Sequence, residues 1–153
     1  MSYNDFIIAA LLKNIEKNKV RRIAKLLQSE RKRKTILTMV TEQGGTPLHY
    51  AAHYSRPEII QLLLEAGCSA NTTITSGEFR GMTPLHAAAV AGNAECVKSL
   101  LDAYPDAASV RDGIGYTPYD YALEAKFETC IEYFETQRAF DAAHSMLKLT
   151  TER

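Results

Sequence analysis

Apolar residues form a stripe that recurs three times along the chain. In each copy they occupy positions i, i+1 and i+4, which lie on one face of an α-helix. A helix cannot bury such a face against itself, so the pattern predicts helices that stack side by side around a shared apolar layer. The equivalent residues are Ile59, Ile60 and Leu63, then Cys96, Val97 and Leu100, and finally Cys130, Ile131 and Phe134.

A short motif precedes each stripe and predicts a further helix. It consists of glycine, one variable residue, threonine and proline, at 44–47, 81–84 and 115–118. Threonine is a favoured N-cap, proline fits the first helical position, and glycine permits the sharp turn that comes before them. The motif therefore predicts three units, each made of a turn, a first helix and a second helix.

The first two motifs continue in the same way. Thr-Pro-Leu-His-x-Ala occupies 46–51 and 83–88, whereas Tyr119 and Asp120 replace leucine and histidine in the third copy. The three cap threonines are 37 and 34 residues apart. With this motif and this period, the chain resembles the ankyrin-repeat family.

The resemblance implies an all-α ankyrin-repeat solenoid of about four helix-turn-helix units, with short β-hairpin-like turns. It also implies that the rings of His49 and His86 hydrogen-bond to neighbouring turns. We expect one domain, 1–153, with these parts: an N-terminal degenerate capping helix pair at 4–34, repeats at 44–71, 81–108 and 115–136, and a C-terminal capping helix at 139–149.

Two segments are less sharply defined by their pattern. Residues 35–44 alternate in polarity, which predicts a short extended arm. Between 127 and 149 the apolar phase shifts around Thr136, which favours two helices. One continuous bent helix is the alternative there, because the segment contains no glycine or proline.

The net charge is zero, but the charges are unevenly distributed. Residues 1–34 hold ten lysines and arginines against three acidic residues, so the N-terminal end is basic and the remainder acidic. Three cysteines without framework spacing favour a reducing compartment, and we expect an intracellular protein of the cytoplasm or nucleus. No apolar run is long enough for a membrane span.

A basic run, Arg31, Lys32, Arg33 and Lys34, admits two interpretations. It is either a nuclear-import signal or nucleic-acid contact, or a solvated helix end where cations meet the negative end of the dipole. No aromatic residues are interleaved with these charges, so we do not expect nucleic acid as a partner.

Candidate chemistry is sparse. His49 and His53 have a spacing that could hold zinc, but no further ligands accompany them. Cys96 and Cys130 are expected to be buried on neighbouring helices, too far apart to form a disulfide. The sequence contains no phosphate loop and no nucleophile elbow. We therefore expect a protein that is not an enzyme and needs no cofactor or metal.

The resemblance implies that a partner binds at the turn tips and at the exposed side of the first helices. Several residues at these positions are apolar or aromatic, and an arginine stands among them, which is typical of interface hot spots. Packing of Met82 and Tyr116 on the adjacent turn is the alternative for those two. The candidate residues are Tyr54, Phe79, Arg80, Met82, Ile114 and Tyr116.

The function implied by the resemblance is that of a non-catalytic protein–protein interaction module. It would act as an adaptor, an inhibitor or a regulatory subunit, using its concave face and turn tips. We expect it to be a monomer on its own, with another protein and no membrane as its partner. The alternative is a nuclear regulatory protein whose basic end binds nucleic acid or an acidic chromatin partner.

Overall fold

Nine α-helices and one short 3₁₀ helix make up the computed structural model, which describes residues 2–152. The 3₁₀ helix, Pro105–Ser109, follows α7. The α-helices are α1 (Tyr3–Glu16), α2 (Val20–Gln28), α3 (Glu30–Leu37), α4 (Pro47–His53), α5 (Pro57–Ala66), α6 (Pro84–Ala91), α7 (Ala94–Ala103), α8 (Pro118–Ala125) and α9 (Glu128–Thr151).

The helices stack in two rows. In one row α1 packs on α4, α4 on α6 and α6 on α8, and in the other α2 packs on α5, α5 on α7 and α7 on α9. Each helix thus meets its counterpart in the neighbouring unit, which is the arrangement of a solenoid. The predicted all-helical solenoid is confirmed.

The first row is close-packed because alanines line its contacts. Ala51, Ala52, Ala88 and Ala89 are fully buried between α4, α6 and α8. The second row buries the larger side chains of the repeated stripe, including Ile59, which is fully buried. Small residues let the first helices approach closely, and the large ones fill the wider space between the second helices.

The threonine–proline motif starts the first helices as expected. The side chain of Thr83 accepts from the backbone N–H of His86, and Thr117 accepts from Asp120 in the same way. Pro84 and Pro118 occupy the first turn that follows each cap. The local sequence therefore sets where these helices begin.

The connecting turns contain no strand within residues 2–152, so the predicted hairpin character is not confirmed. A few backbone hydrogen bonds hold each turn instead. The N–H of Thr41 donates to Gly45, that of Ile74 to Met82 and that of Asp112 to Tyr116.

The N-terminal region differs from the expected pair and arm. The break near Asn18 is present, but a third helix, α3, covers 30–37 and so includes 35–37, where the sequence pattern predicted the start of an extended arm. Ile36 is fully buried and α3 packs on α1 and α2. Burial of Ile36 against α1 and α2 favours the helix over the expected arm.

The C-terminal region is one continuous helix, the second of the two alternatives. α9 runs from 128 to 151, so the separate capping helix predicted at 139–149 is instead its C-terminal half. Residues 138–152 are exposed at every position. Since no glycine or proline interrupts the segment, nothing in the backbone stops the helix where the apolar phase changes. Among the described helices, none has both the length and the apolar character that crossing a bilayer requires.

Candidate protein-binding surface

Three turns precede α4, α6 and α8, and hydrogen bonds between backbone groups join them into one row. The carbonyl of Gln43 in the first turn accepts from the N–H of Thr75, 2.9 Å away, in the link to the second. The carbonyl of Arg80 in the second turn accepts from the N–H of Gly113 in the third, at 2.8 Å. The row is therefore a continuous surface and not a set of separate loops.

The second and third turns approach so closely that only glycine fits between them. A Cβ atom on Gly81 would lie 2.7 Å from the backbone nitrogen of Gly113. A Cβ atom on Gly113 would lie 2.9 Å from the carbonyl oxygen of Arg80. These contacts fix the second turn against the third.

The side chains of two histidines form hydrogen bonds with the second and third turns. His49 donates from Nε2 to the carbonyl of Met82 at 2.9 Å, and His86 donates from Nε2 to the carbonyl of Tyr116 at 3.0 Å. The tautomer follows from the other nitrogen, because Nδ1 of His49 accepts from the backbone N–H of Thr46 and Nδ1 of His86 from that of Thr83. The expected hydrogen bonds to neighbouring turns are confirmed.

Burial and hydrogen bonding favour the neutral form of both imidazoles in the folded protein. Burial lowers the pKa of His49 to about 4, despite the favourable hydrogen bond to Met82. Burial also lowers the pKa of His86. A neutral ring is required here, since protonation of Nδ1 would remove the acceptor used by the cap.

Asp112 organises the third turn, and the sequence analysis did not single it out. Its Oδ1 accepts from the N–H groups of Ile114 (3.1 Å) and Tyr116 (2.9 Å), and its Oδ2 accepts from the hydroxyl of Tyr121. Burial raises the pKa of Asp112, but these three hydrogen bonds outweigh burial and leave the pKa below its usual value. The sequence could have indicated this role, because an aspartate whose side chain accepts from the backbone N–H two residues later is typical of an Asx turn.

Four of the six predicted residues lie on this row with exposed side chains. Ile114 is 71% exposed and Phe79 49%, and Arg80 is exposed beside Phe79 on the second turn. Tyr116 is 38% exposed and packs against the ring of Tyr121, with centroids 5.3 Å apart. We call Phe79, Arg80, Ile114 and Tyr116 the turn surface.

Met82 and Tyr54 are not part of the turn surface. The side chain of Met82 is only 9% exposed, so the expectation of an exposed tip was wrong, and this burial agrees with the packing alternative. Tyr54 is exposed, but it caps the C-terminal end of α4 and contacts His53. The seven residues of α4 separate it from the turns by about 10 Å.

The basic run lies on α3, at the N-terminal end of the solenoid. Arg31, Arg33 and Lys34 are exposed and Lys32 is half-buried. The run occupies positions 31–34 of α3, and Lys34 lies in the last turn of this helix, where a cation meets the negative end of the dipole. The guanidinium of Arg31 lies over the ring of Tyr3, 4.2 Å from its centroid.

Comparison with known proteins identifies the repeated unit. A family model described as Ankyrin repeats (many copies) matches residues 31–78 and 74–122. No curated protein matches the chain at a significant level. The two matches together cover more than half of the chain. They include the row of turns, the two histidines that hydrogen-bond to it and helices α4 to α7. The chain therefore belongs to the ankyrin-repeat family.

Proposed function

We propose that this protein is a non-catalytic interaction module whose turn surface binds another protein, as an adaptor, an inhibitor or a regulatory subunit. Ankyrin repeats are in general protein–protein interaction modules. The observation that carries the proposal is the exposure of Phe79 and Ile114 on two turns that are in backbone contact. Exposed large apolar side chains grouped with an arginine have the composition of an interface hot spot.

Hydrogen bonds fix the backbone of the turns that carry these side chains, which supports a preorganised site. Hydrogen bonds from His49 and His86 hold the second and third turns, and Asp112 holds the third internally. A surface whose backbone is already ordered loses little conformational entropy when a partner binds. The affinity of the interface can then come from a few anchors.

The test truncates two exposed side chains and keeps the hydrogen bonds of His49, His86 and Asp112. In Phe79→Ala/Ile114→Ala both truncated side chains are exposed, so the free energy of unfolding should change by about 0.5 kcal/mol or less. Loss of a hot-spot anchor costs about 2 kcal/mol in binding, roughly thirtyfold in affinity. The measurement is affinity capture from native lysate with quantitative mass spectrometry, followed by titration of the recovered partner.

Phe6→Ala/Leu37→Ala is the matched control. These two residues are exposed apolar side chains on α1 and α3, away from the turns and from the first helices α4, α6 and α8. The control should retain every partner of the wild type. Equal recovery of the same partners by the Phe79/Ile114 variant, with an unchanged thermal midpoint, would place the binding site elsewhere.

A second candidate uses the basic end. Exposed Arg33 and Lys34 on α3 support a nuclear regulatory role in which this end binds nucleic acid or an acidic chromatin protein. Salt separates the two candidates: binding through the turn surface should change little between low and physiological salt, whereas binding through the basic end should weaken steeply. Replacing all four basic residues with serine should abolish only the latter.

We also propose that the protein works inside the cell, in the cytoplasm or nucleus. The three cysteines are free, and Cys96 and Cys130 are buried. Intact mass of the protein isolated from its native source checks this, since a disulfide would contradict it.

A further inference from the structure

The row of turns ends in a backbone acceptor that has no donor. In the first two turns, the carbonyl three residues before the cap threonine accepts from the next turn. Gln43 accepts from Thr75 at 2.9 Å, and Arg80 accepts from Gly113 at 2.8 Å. Ile114 is the equivalent residue of the third turn, and no backbone N–H of residues 2–152 donates to its carbonyl. The group that joins each turn to the next is therefore unused at the end of the row.

The glycine that follows this carbonyl shows the same difference. Gly44, Gly81 and Gly115 have φ angles of +93°, +83° and +91°, so the three turns share one backbone conformation here. A Cβ atom on Gly44 would lie 2.7 Å from the nitrogen of Thr75, and one on Gly81 would lie 2.7 Å from that of Gly113. Nothing lies within 4 Å of the same position at Gly115. The space that the next turn fills twice in the row is open at its end.

The helix behind the third turn is uncovered on the same side. The sixth residue after the cap threonine is a fully buried alanine in the first two repeats, Ala52 and Ala89. In the third repeat it is Leu123, which is 43% exposed, although its neighbour Ala122 is fully buried. Only the side of α8 that faces away from α6 is therefore open. We call the carbonyl of Ile114, Gly115 and the side chain of Leu123 the open edge.

We propose that the partner of the turn surface adds a tight turn of its own to the open edge and donates a backbone N–H to the carbonyl of Ile114, which rests on the proposed function and names the chemistry of the partner segment. The third turn is the template, because it binds the second turn in this way. Asp112 holds its backbone through the N–H groups of Ile114 and Tyr116, and Gly113 donates to Arg80. The matching partner segment is an Asp-Gly turn followed by an apolar residue.

The partner is a different protein, because the fold obstructs a second copy. The first turn does carry a free donor at the equivalent position, since no backbone carbonyl of residues 2–152 accepts from the N–H of Glu42. Helix α4, which follows this turn, already packs on α1. It cannot also pack on α8 of another copy in the way that α6 packs on α4. The first turn of a second copy is thereby kept from the open edge.

The first test supplies the template turn as a probe. A cyclic peptide with the sequence of residues 110–117 is titrated to about 5 mM into the full chain labelled with ¹³C and ¹⁵N. It should shift the carbonyl signal of Ile114 and the amide signals of 114–116, with a Kd of about 1 mM.

The matched control is the same peptide with N-methylglycine in place of Gly113. It keeps the side chains but lacks the donor N–H, so it should leave the Ile114 carbonyl signal unchanged. No shift with the unmodified peptide, or equal shifts with both peptides, would refute donation to this carbonyl.

The second test closes the open edge from the protein side. In Gly115→Ala the new Cβ meets nothing within the chain, but it lies where the nitrogen of an added turn must come, as at Gly81. Gly67→Ala is the matched control, because Gly67 also has a positive φ, +104°, and open space around it, at the end of α5. Gly115→Ala should weaken peptide binding at least tenfold, and Gly67→Ala should leave it unchanged. Equal Kd values for the two variants would overturn the proposal.

The partner recovered by affinity capture separates this inference from the proposed function. Its loss from both Phe79→Ala/Ile114→Ala and Gly115→Ala, but not from Gly67→Ala, supports both. Its retention by Gly115→Ala and loss from the double variant would leave the turn surface as the binding site and refute the added turn. A wild type that reaches two-chain mass in sedimentation velocity, while Gly115→Ala stays at one-chain mass, would assign the open edge to a second copy instead.

Discussion

The imidazole of His49 connects a helix cap to the next turn. Nδ1 accepts from the backbone of Thr46, and Nε2 donates to the carbonyl of Met82. Asp120 stands at the equivalent position of the third repeat, where its carboxylate accepts from the N–H and hydroxyl of Thr117. A carboxylate can hold the cap but has no donor for a further turn, so only the histidine does both.

The pH dependence of stability should therefore reflect His49. The folded protein holds fewer protons at this site than the unfolded chain, because burial lowers the pKa from 6.5 to about 4. The contribution of His49 to the free energy of unfolding should be constant above pH 7, fall by about 3 kcal/mol as pH drops from 6.5 to 4, and level off below pH 4. His86 contributes in the same direction.

Urea denaturation at a series of pH values measures this effect. His49→Asn removes one titrating ring and should reduce the slope between pH 6.5 and 4 to the part that His86 contributes, at some cost in stability at pH 7 because the Met82 carbonyl loses its donor. A variant that keeps the wild-type slope would show that other groups titrate in this range.

Thiol reactivity provides a second prediction at the residue scale. Burial raises the pKa of Cys68 to about 11 and that of Cys96 to about 12, and it also raises that of Cys130. Cys96 and Cys130 are buried whereas Cys68 is half-buried, so Cys68 should react first with an aromatic disulfide reagent. Peptide mapping after timed labelling identifies the order. Fast labelling of Cys96 and Cys130 without denaturant would contradict their burial.

At the scale of elements, the contact between the second and third turns depends on glycine. Gly81 and Gly115 have similar φ angles, +83° and +91°, so alanine at either position has a similar backbone cost of about 1–2 kcal/mol. Only at Gly81 does the new Cβ also meet backbone, at 2.7 Å from Gly113, since nothing lies within 4 Å at Gly115.

Gly81→Ala should therefore destabilise more than Gly115→Ala, by at least about 1 kcal/mol. Thermal unfolding of the two variants measures the difference, and the shared φ requirement cancels in the comparison. Equal destabilisation would mean that the two turns separate at little cost, which would also weaken the case for a preorganised turn surface.

At the scale of the whole molecule, the solenoid should not need the end of α9. Arg138 lies over the ring of Tyr119, but every later described residue is exposed. A chain ending at Arg138 should melt within a few degrees of the full chain at low micromolar concentration, because it loses no buried side chain. Scanning calorimetry checks this. A drop of more than about 10 °C would show that residues 139–151 stabilise the solenoid directly.

Much of the fold could be predicted because it depends on local and periodic features. A threonine followed by proline starts a helix wherever it stands, and the three copies of the motif place α4, α6 and α8. The repeated stripe identified the buried faces, including Cys96 and Cys130. Repetition of one unit also determined the solenoid, since no unit can bury its face alone.

The features that sequence analysis missed depend on neighbours that are distant along the chain. Met82 is buried by the packing of its turn, and Tyr54 is separated from the turn surface by the length of α4. Ile36 makes α3 a helix because α1 and α2 provide a place to bury it. For α9, the sequence contained the change of phase and allowed one helix or two, because no glycine or proline interrupts it. Only the tertiary structure decided which face packs on the solenoid, through Cys130 and Phe134, and which face lies outside it.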